Sequence, residues 1–307
     1  MLDGGVGQEL HRRSTRPASP LWSVQVMMDE PQLVEAVHLD FIAAGARVVT
    51  VNGYSATPHQ LARAGRADMF DTLHSAAVAA AASARDRSGR QIRIAGCLPP
   101  LVATYRPDLA PPENVALADY RRIVSAQAPG VDLFLCETMP SSAEARVATM
   151  AAVESGLPVW TALTVDDADG TRLRSGEPVS EGAHAAADAG AAAVLINCSS
   201  PEATGPAMTA LAETGIPFGA YANGFVSVEG LEPGGTVDVL EARHDLGPDA
   251  YSDRALAWVA SGAAIVGGCC EIGPLHIAAL ARRLESHGYE IVADFASSPR
   301  PPTPIDR

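Results

Sequence analysis

Short apolar runs recur along the chain, separated by longer stretches in which Ala, Leu and Val return at helical spacing. The runs predict strands at residues 2–3, 47–51, 92–97, 131–136, 157–163, 192–197, 218–221 and 264–266. The stretches between them predict helices at 31–44, 66–87, 117–128, 141–155, 180–189, 201–213, 252–261 and 274–287. Local signals agree with these bounds. Ser141 stands three residues before Glu144, the spacing of a capping box. Gly45, Gly130, Gly156, Gly190, Gly215 and Gly262 fall just beyond helix ends, where a left-handed cap needs a residue without Cβ.

Strands buried on both faces and joined by helical crossovers define an α/β protein with a parallel sheet. Eight such units favour a closed (β/α)8 TIM barrel over an open doubly wound sheet. An open dinucleotide-binding sheet carries GxGxxG after its first strand, and the Asp-Gly-Gly-Val-Gly-Gln-Glu-Leu run at 3–10 lacks that spacing. The expected organisation is one barrel domain over 1–290 and a proline-rich tail over 291–307. The first strand is short or truncated. A chain start upstream of Met1, or a homo-oligomeric partner at that seam, would complete it. Two irregular stretches, 98–113 and 222–247, follow strands and are expected as long loops on the carboxyl face, where barrels place their chemistry.

Composition narrows the function classes. Hydrophobic residues make up 47% and charged ones 19%, enough apolar surface for a large core. A net charge of -14 without a basic cluster argues against nucleic-acid partners. No apolar stretch reaches the roughly 18 residues of a membrane span, and residues 1–5 resemble no leader, so a cytoplasmic protein is expected. The five cysteines are odd in number and lack a disulfide framework, which points to metal binding or catalysis.

In a barrel, the residues at strand ends meet on one rim. These are Asp3, Asn52, Tyr54, Cys97, Glu137, Asn197, Cys198, Asn223 and the run Gly267-Gly268-Cys269-Cys270. Cys198, Cys269 and Cys270 could converge as three thiolates, a soft anionic set suited to Zn²⁺ with one tetrahedral position left for substrate. Cys97 and Cys136 lie in apolar strands and are expected in the core. His38 and His276 sit on predicted helices without i, i+4 partners, as core or cap residues. Trp22 and Trp258 are expected as packing anchors. The charged stretch 166–177 is expected as a solvated loop that helps to shape the site.

Several of these features together resemble the homocysteine S-methyltransferase family. They are Leu2-Asp3-Gly4-Gly5, Leu21-Trp22-Ser23, the segment 38–45 before 50–57, Glu137-Thr138, Asn197-Cys198, and Gly267-Gly268-Cys269-Cys270 followed by Pro274 and His276-Ile277. The resemblance spans residues 2–284. It implies a (β/α)8 barrel that binds zinc through Cys198, Cys269 and Cys270 and takes homocysteine sulfur as fourth ligand. It also implies that Asp3 and Glu137 hold the α-ammonium of the substrate and that Asn223 belongs to the substrate pocket; Asn52 and Tyr54 are weaker candidates for the same pocket. The expected activity is methyl transfer from a soluble sulfonium donor, S-methylmethionine or S-adenosylmethionine, to homocysteine, as in methionine biosynthesis. The chain after about residue 288 is too short for a cobalamin or folate domain. The alternatives are betaine as donor, selenocysteine or selenohomocysteine as acceptor, and a zinc-binding barrel without catalysis. A zinc hydrolase would need His- and Asp-rich ligands that the strand ends do not supply.

Overall fold

Alternation within the predicted strands explains the sheet that forms. In a strand, side chains at i and i+2 share a face. Leu2, Val48, Ala95, Leu133, Leu135, Trp160, Ala162, Ala193, Leu195, Tyr221 and Ile265 accordingly pack into one cluster on the inner face of a curled sheet. The intervening residues, such as Val49, Ile94, Phe134, Val194 and Ile196, join a larger core between the sheet and the helices. The computed structural model describes residues 1–232 and 235–293, so the expected tail lies outside the described residues from position 294 onward.

Seven strands form the sheet: β1 Val48–Thr50, β2 Arg93–Leu98, β3 Leu133–Met139, β4 Val159–Leu163, β5 Ala193–Asn197, β6 Phe218–Tyr221 and β7 Ile265–Val266. They lie in chain order, each parallel to the next. The α-helices are α1 Val6–Arg13, α2 Trp22–Asp29, α3 Gln32–Ala44, α4 Pro58–Arg63, α5 Phe70–Ser88, α6 Glu113–Gln127, α7 Ser142–Val153, α8 Val179–Asp188, α9 Pro201–Ala212, α10 Pro248–Ala260 and α11 Pro274–Ser286.

The expected first strand is not a strand. Residues 2–3 run between the two edges of the sheet, and Leu2 makes only an isolated parallel bridge to Val48. The segment is nevertheless bonded on both sides. Asp3 N donates to Val48 O at 3.0 Å, Leu2 N donates to Val266 O at 2.8 Å, and Gly268 N donates to Asp3 O at 2.9 Å. Two residues are too few for a ladder, so the sheet has seven strands where eight are expected.

The sequence expectation also omits α1, α2 and α4, none longer than eight residues and so too short to show a clear period. Helix α1 is held by its own charges, Glu9 pairing with Arg12 at 2.9 Å and Arg13 at 2.7 Å. Helix α7 begins as its spacing predicts, Ser141 Oγ accepting from Glu144 N at 3.2 Å. The Glu144 carboxylate then accepts from the Ser141 hydroxyl at 3.0 Å, where a full capping box would use the backbone N–H. Gly45 ends α3 with φ +114°, as a left-handed cap requires. Gly130 differs: it closes a 3-10 turn without positive φ, and a Cβ there would lie 2.2 Å from Val78 Cγ1. Close packing is the reason for that glycine.

Candidate metal centre and substrate cavity

The carboxyl ends of the strands surround one cavity, lined by Asp3, Asn52, Tyr54, Cys97, Glu137, Cys198, Cys269 and Cys270 among others. Strand alternation puts Glu137 there, because Leu133 and Leu135 already face the inner cluster and the next residue on that face is 137. Cys198 follows the last residue of β5 and turns the chain with φ +48°. Cys269 and Cys270 follow β7 after two glycines, and backbone bonds fix their loop: Cys269 N donates to Ala222 O at 2.9 Å and Gly224 N to Cys270 O at 2.9 Å. The 3–5 and 267–270 segments touch backbone to backbone. A Cβ on Gly4 would sit 2.0 Å from Ile272 O, and one on Gly5 2.7 Å from Cys269 O.

The three sulfurs meet as the sequence predicts. Their Sγ atoms all lie within 4.8 Å of one another, the one group of three such ligand atoms found among the described residues. Cys198 Sγ and Cys270 Sγ are 3.8 Å apart. Tetrahedral zinc–thiolate bonds of about 2.3 Å imply sulfur–sulfur edges of about 3.8 Å, so the spacing fits zinc. Cys198 is buried, whereas Cys269 and Cys270 are half-buried. Without a cation the thiols share charge unequally. Thiol donation from Cys269 and Cys270, with a hydroxyl from Tyr105, holds Cys198 well below the usual thiol range. The Cys198 sulfur in turn pushes its two partners up, and burial adds to the effect. Three thiolates together require a cation.

Two carboxyl groups line the same cavity. Burial raises Asp3 to about 8 against the opposing pull of Thr50, whose N–H donates to Oδ2 at 2.8 Å. Burial raises Glu137 to about 7, although the Cys97 thiol donates to its Oε1 at 2.9 Å. Cys97 is therefore buried as expected but is also part of the cavity wall, unlike Cys136, which belongs to the core. Among the described residues no cation acts on either acid, so burial leaves both above the usual carboxylate range.

The weaker candidates divide. Tyr54 lines the cavity with its hydroxyl 3.0 Å from Thr104 Oγ1, and burial, with Cys198 and Glu137 adding to it, raises it well above the usual phenol range. Asn52 lines the cavity but spends its Nδ2 on Ser23 O at 3.0 Å. Asn223 is not part of the cavity lining; its Oδ1 accepts from Phe225 N at 3.2 Å, and its Nδ2 is buried without a partner. His276 caps α11, with Nδ1 3.3 Å from Gly273 N, and His38 is wholly buried in α3. Trp258 packs edge-on against Tyr251, as an anchor should. Trp22 does more than anchor, because it lines the cavity with a buried indole N–H that has no partner. The stretch 166–177 is tied down: Asp167 accepts from Ser200 N at 2.7 Å and pairs with Arg174 at 2.8 Å.

Sequence reasoning missed Tyr105 and named Thr138 only within the Glu137-Thr138 motif, without a role. Tyr105 sits in the proline-rich loop after β2, and its hydroxyl is 3.1 Å from Cys198 Sγ. Thr138 is held by Asn197, whose Oδ1 accepts from Thr138 N at 2.8 Å and whose Nδ2 donates to Thr138 Oγ1 at 2.9 Å. Backbone strain marks both. Among the described residues the non-glycine positions with positive φ are Trp22, Tyr105, Thr138, Cys198 and Glu271. Four line the cavity and the fifth follows Cys270. Such conformations persist where surrounding contacts enforce them, and they concentrate at functional sites.

Fold and site together define an α/β protein whose parallel strands deliver a three-thiol, metal-capable centre, the buried Asp3 and the half-buried Glu137 to one cavity. Comparison with known proteins sharpens this. Residues 1–284 match the sequence profile of the homocysteine S-methyltransferase family. Homocysteine S-methyltransferase of Escherichia coli (strain K12) is 30% identical over 92% of this chain and 94% of its own length. Homocysteine S-methyltransferase 4 of Zea mays is 29% identical over 96% of this chain and 92% of its own. The crystal structure of the E. coli homocysteine methyltransferase MmuM in its metallated form superposes with a TM-score of 0.76 at 27% identity, covering 92% of this chain and 95% of that one. The chain belongs to the homocysteine S-methyltransferase family and is a methyltransferase.

Proposed function

We propose that this protein moves a methyl group from a soluble sulfonium donor, S-methylmethionine or S-adenosylmethionine, to the thiolate of homocysteine, giving methionine, with Zn²⁺ held by Cys198, Cys269 and Cys270. The observation that carries the proposal is the joint placement of the sulfur triad and the two acids Asp3 and Glu137 around one cavity. Bound zinc supplies the Lewis acidity that keeps a substrate thiol deprotonated at neutral pH. The chain's own groups do the rest. Asp3 and Glu137 accept hydrogen bonds from the α-ammonium of homocysteine, whose positive charge favours their ionised forms. Burial excludes water from an in-line displacement in which a cationic donor loses its charge to an anionic sulfur. The leaving thioether is neutral, so no general acid is needed. Asn52 and Tyr54 shape the wall beside the acids. Asn223, outside the cavity lining and one residue from the backbone that holds Cys269, supports the metal loop rather than the substrate.

The same reading makes residues 2–3 the eighth stave of a (β/α)8 barrel, bonded as they are to both sheet edges. It places residues 1–290 in one domain, leaves 291–307 as a tail, and allows a homo-oligomer at the short seam. It takes small molecules rather than nucleic acid or membrane as partners; no helix among the described residues is long and apolar enough to cross a bilayer. Cytoplasmic residence suits five unpaired cysteines.

A second acceptor has a specific observation behind it. The relative named selenocysteine Se-methyltransferase in Brassica oleracea var. italica is 28% identical over 97% of this chain, close to the homocysteine enzymes. The test is a matrix of labelled S-methylmethionine, S-adenosylmethionine and betaine against homocysteine and selenocysteine. Turnover with a sulfonium donor and homocysteine is expected. Preference for betaine or for selenocysteine would replace the donor or acceptor assignment, and no turnover with any pair would leave a zinc-binding barrel.

A further inference from the structure

Beside the sulfur triad stands a phenol that the proposed chemistry does not use. Tyr105 places its hydroxyl 3.1 Å from Cys198 Sγ and 3.3 Å from Cys198 O. A phenol donates one hydrogen bond, and a thiolate is the better acceptor of the two.

We propose that Tyr105 is a positioning residue for the Cys198 sulfur: its hydroxyl hydrogen-bonds that thiolate and thereby leaves the substrate sulfur as the most nucleophilic member of the centre. The inference rests on the reading of the triad as a metal-thiolate site. Four thiolates around one dication carry a net charge of about -2 and are chemically alike. An electrophilic methyl group could alkylate any of them. Donation to Cys198 draws electron density from that sulfur, lowers the charge that must gather around the metal, and so favours binding of a fourth thiolate while protecting the ligand itself.

The loop is built to keep the hydroxyl in place. Tyr105 has φ +62°, a conformation that a bulky residue adopts only under constraint. The constraint is visible: the Arg174 guanidinium lies 4.9 Å from the centre of the Tyr105 ring, a cation–π contact. Arg174 is itself clamped by Asp167 at 2.8 Å, and the other oxygen of Asp167 accepts from Ser200 N at 2.7 Å, two residues after Cys198. The phenol and the sulfur it serves are thus tied to the same short segment through the loops after β2 and β4. Free packing of a tyrosine would require neither the strain nor the clamp.

Tyr105→Phe keeps the ring and its contact with Arg174 and removes only the hydroxyl. The assay uses the full chain loaded with Co²⁺, whose sulfur-to-cobalt charge-transfer band reports electron density on the ligating thiolates. Relative to the parent protein, the variant is expected to show that band at longer wavelength and to bind homocysteine roughly 10-fold more weakly, the scale of one hydrogen bond to a charged group. An unchanged band and unchanged affinity in a cobalt-loaded variant would overturn the proposal while leaving the metal centre intact. A parent protein that binds no cobalt overturns the metal centre and the proposal with it. If Tyr105→Phe fails to retain cobalt, Arg174→Met decides, since it loosens the ring but leaves the hydroxyl: a smaller shift in the same direction supports the role, and an unmoved band overturns it.

Discussion

Replacing Glu137 by Gln in metal-free protein removes one titration from the cavity and keeps the side-chain shape, including an oxygen that can accept from the Cys97 thiol. Burial raises Glu137 from 4.5 to about 7. The folded protein therefore holds a proton, between about pH 4.5 and 7, that the unfolded chain has already released. Because the folded value is the higher one, the stability this group contributes is complete below about pH 4.5 and is lost as the pH rises through 7. The interval corresponds to about 3 kcal/mol. At roughly 2 °C per kcal/mol for a chain of this size, Glu137→Gln should melt about 6 °C above the parent at pH 8, relative to their difference at pH 4.5. Thermal denaturation followed by circular dichroism across pH 4 to 9 measures it. Asp3, raised to about 8, keeps a residual slope in the variant. The same substitution removes a carboxylate from the proposed ammonium site and should weaken homocysteine binding 10-fold or more. Parallel melting curves for parent and variant over the whole range would refute the buried-acid account.

Three further outcomes follow from local geometry. Gly4→Ala puts a Cβ 2.0 Å from the Ile272 carbonyl oxygen, a backbone atom that cannot step aside, so the variant should lose about 1–3 kcal/mol of stability in denaturant titration and bind substrate poorly through a displaced Asp3. Asn197→Leu removes both bonds that hold Thr138 in its left-handed conformation; a loss of about 2 kcal/mol is expected, with KM for homocysteine rising more than kcat falls because Glu137 is the neighbour released. Cys136→Ala, in the core away from the cavity, should lower stability modestly and leave metal content at the parent level, measured by elemental analysis.

Much of this was legible in the sequence because the governing patterns are local and periodic. Strand runs buried on both faces located seven of the strands to within three residues at either end, and period-two alternation carries Glu137, one residue beyond the expected strand, inward from Leu133 and Leu135. The cysteines were legible because a Gly-Gly-Cys-Cys run after an apolar strand has little use in a core. What stayed hidden depends on distant segments meeting. Residues 2–3 read as a short first strand, but that they bond to both sheet edges without forming a ladder is a long-range fact no local pattern reveals. Tyr105 lies in an aperiodic loop, and its partner is 93 positions away. Cys97 looked like core because its apolar neighbours are core; only the register of β2 against β3 brings its thiol to Glu137. Asn223 shows the converse, since the family resemblance implied a pocket residue and the turn after β6 directs the side-chain oxygen to backbone.

The central claim is that Cys198, Cys269 and Cys270 form one zinc centre on which methyl transfer to homocysteine depends. Elemental zinc per chain, measured alongside methionine formation from homocysteine and labelled S-methylmethionine or S-adenosylmethionine, tests it in parent protein and in Cys269→Ser. The account predicts one zinc and turnover in the parent and the loss of both in the variant. A parent without stoichiometric zinc, or a variant that keeps both metal and turnover, would contradict it.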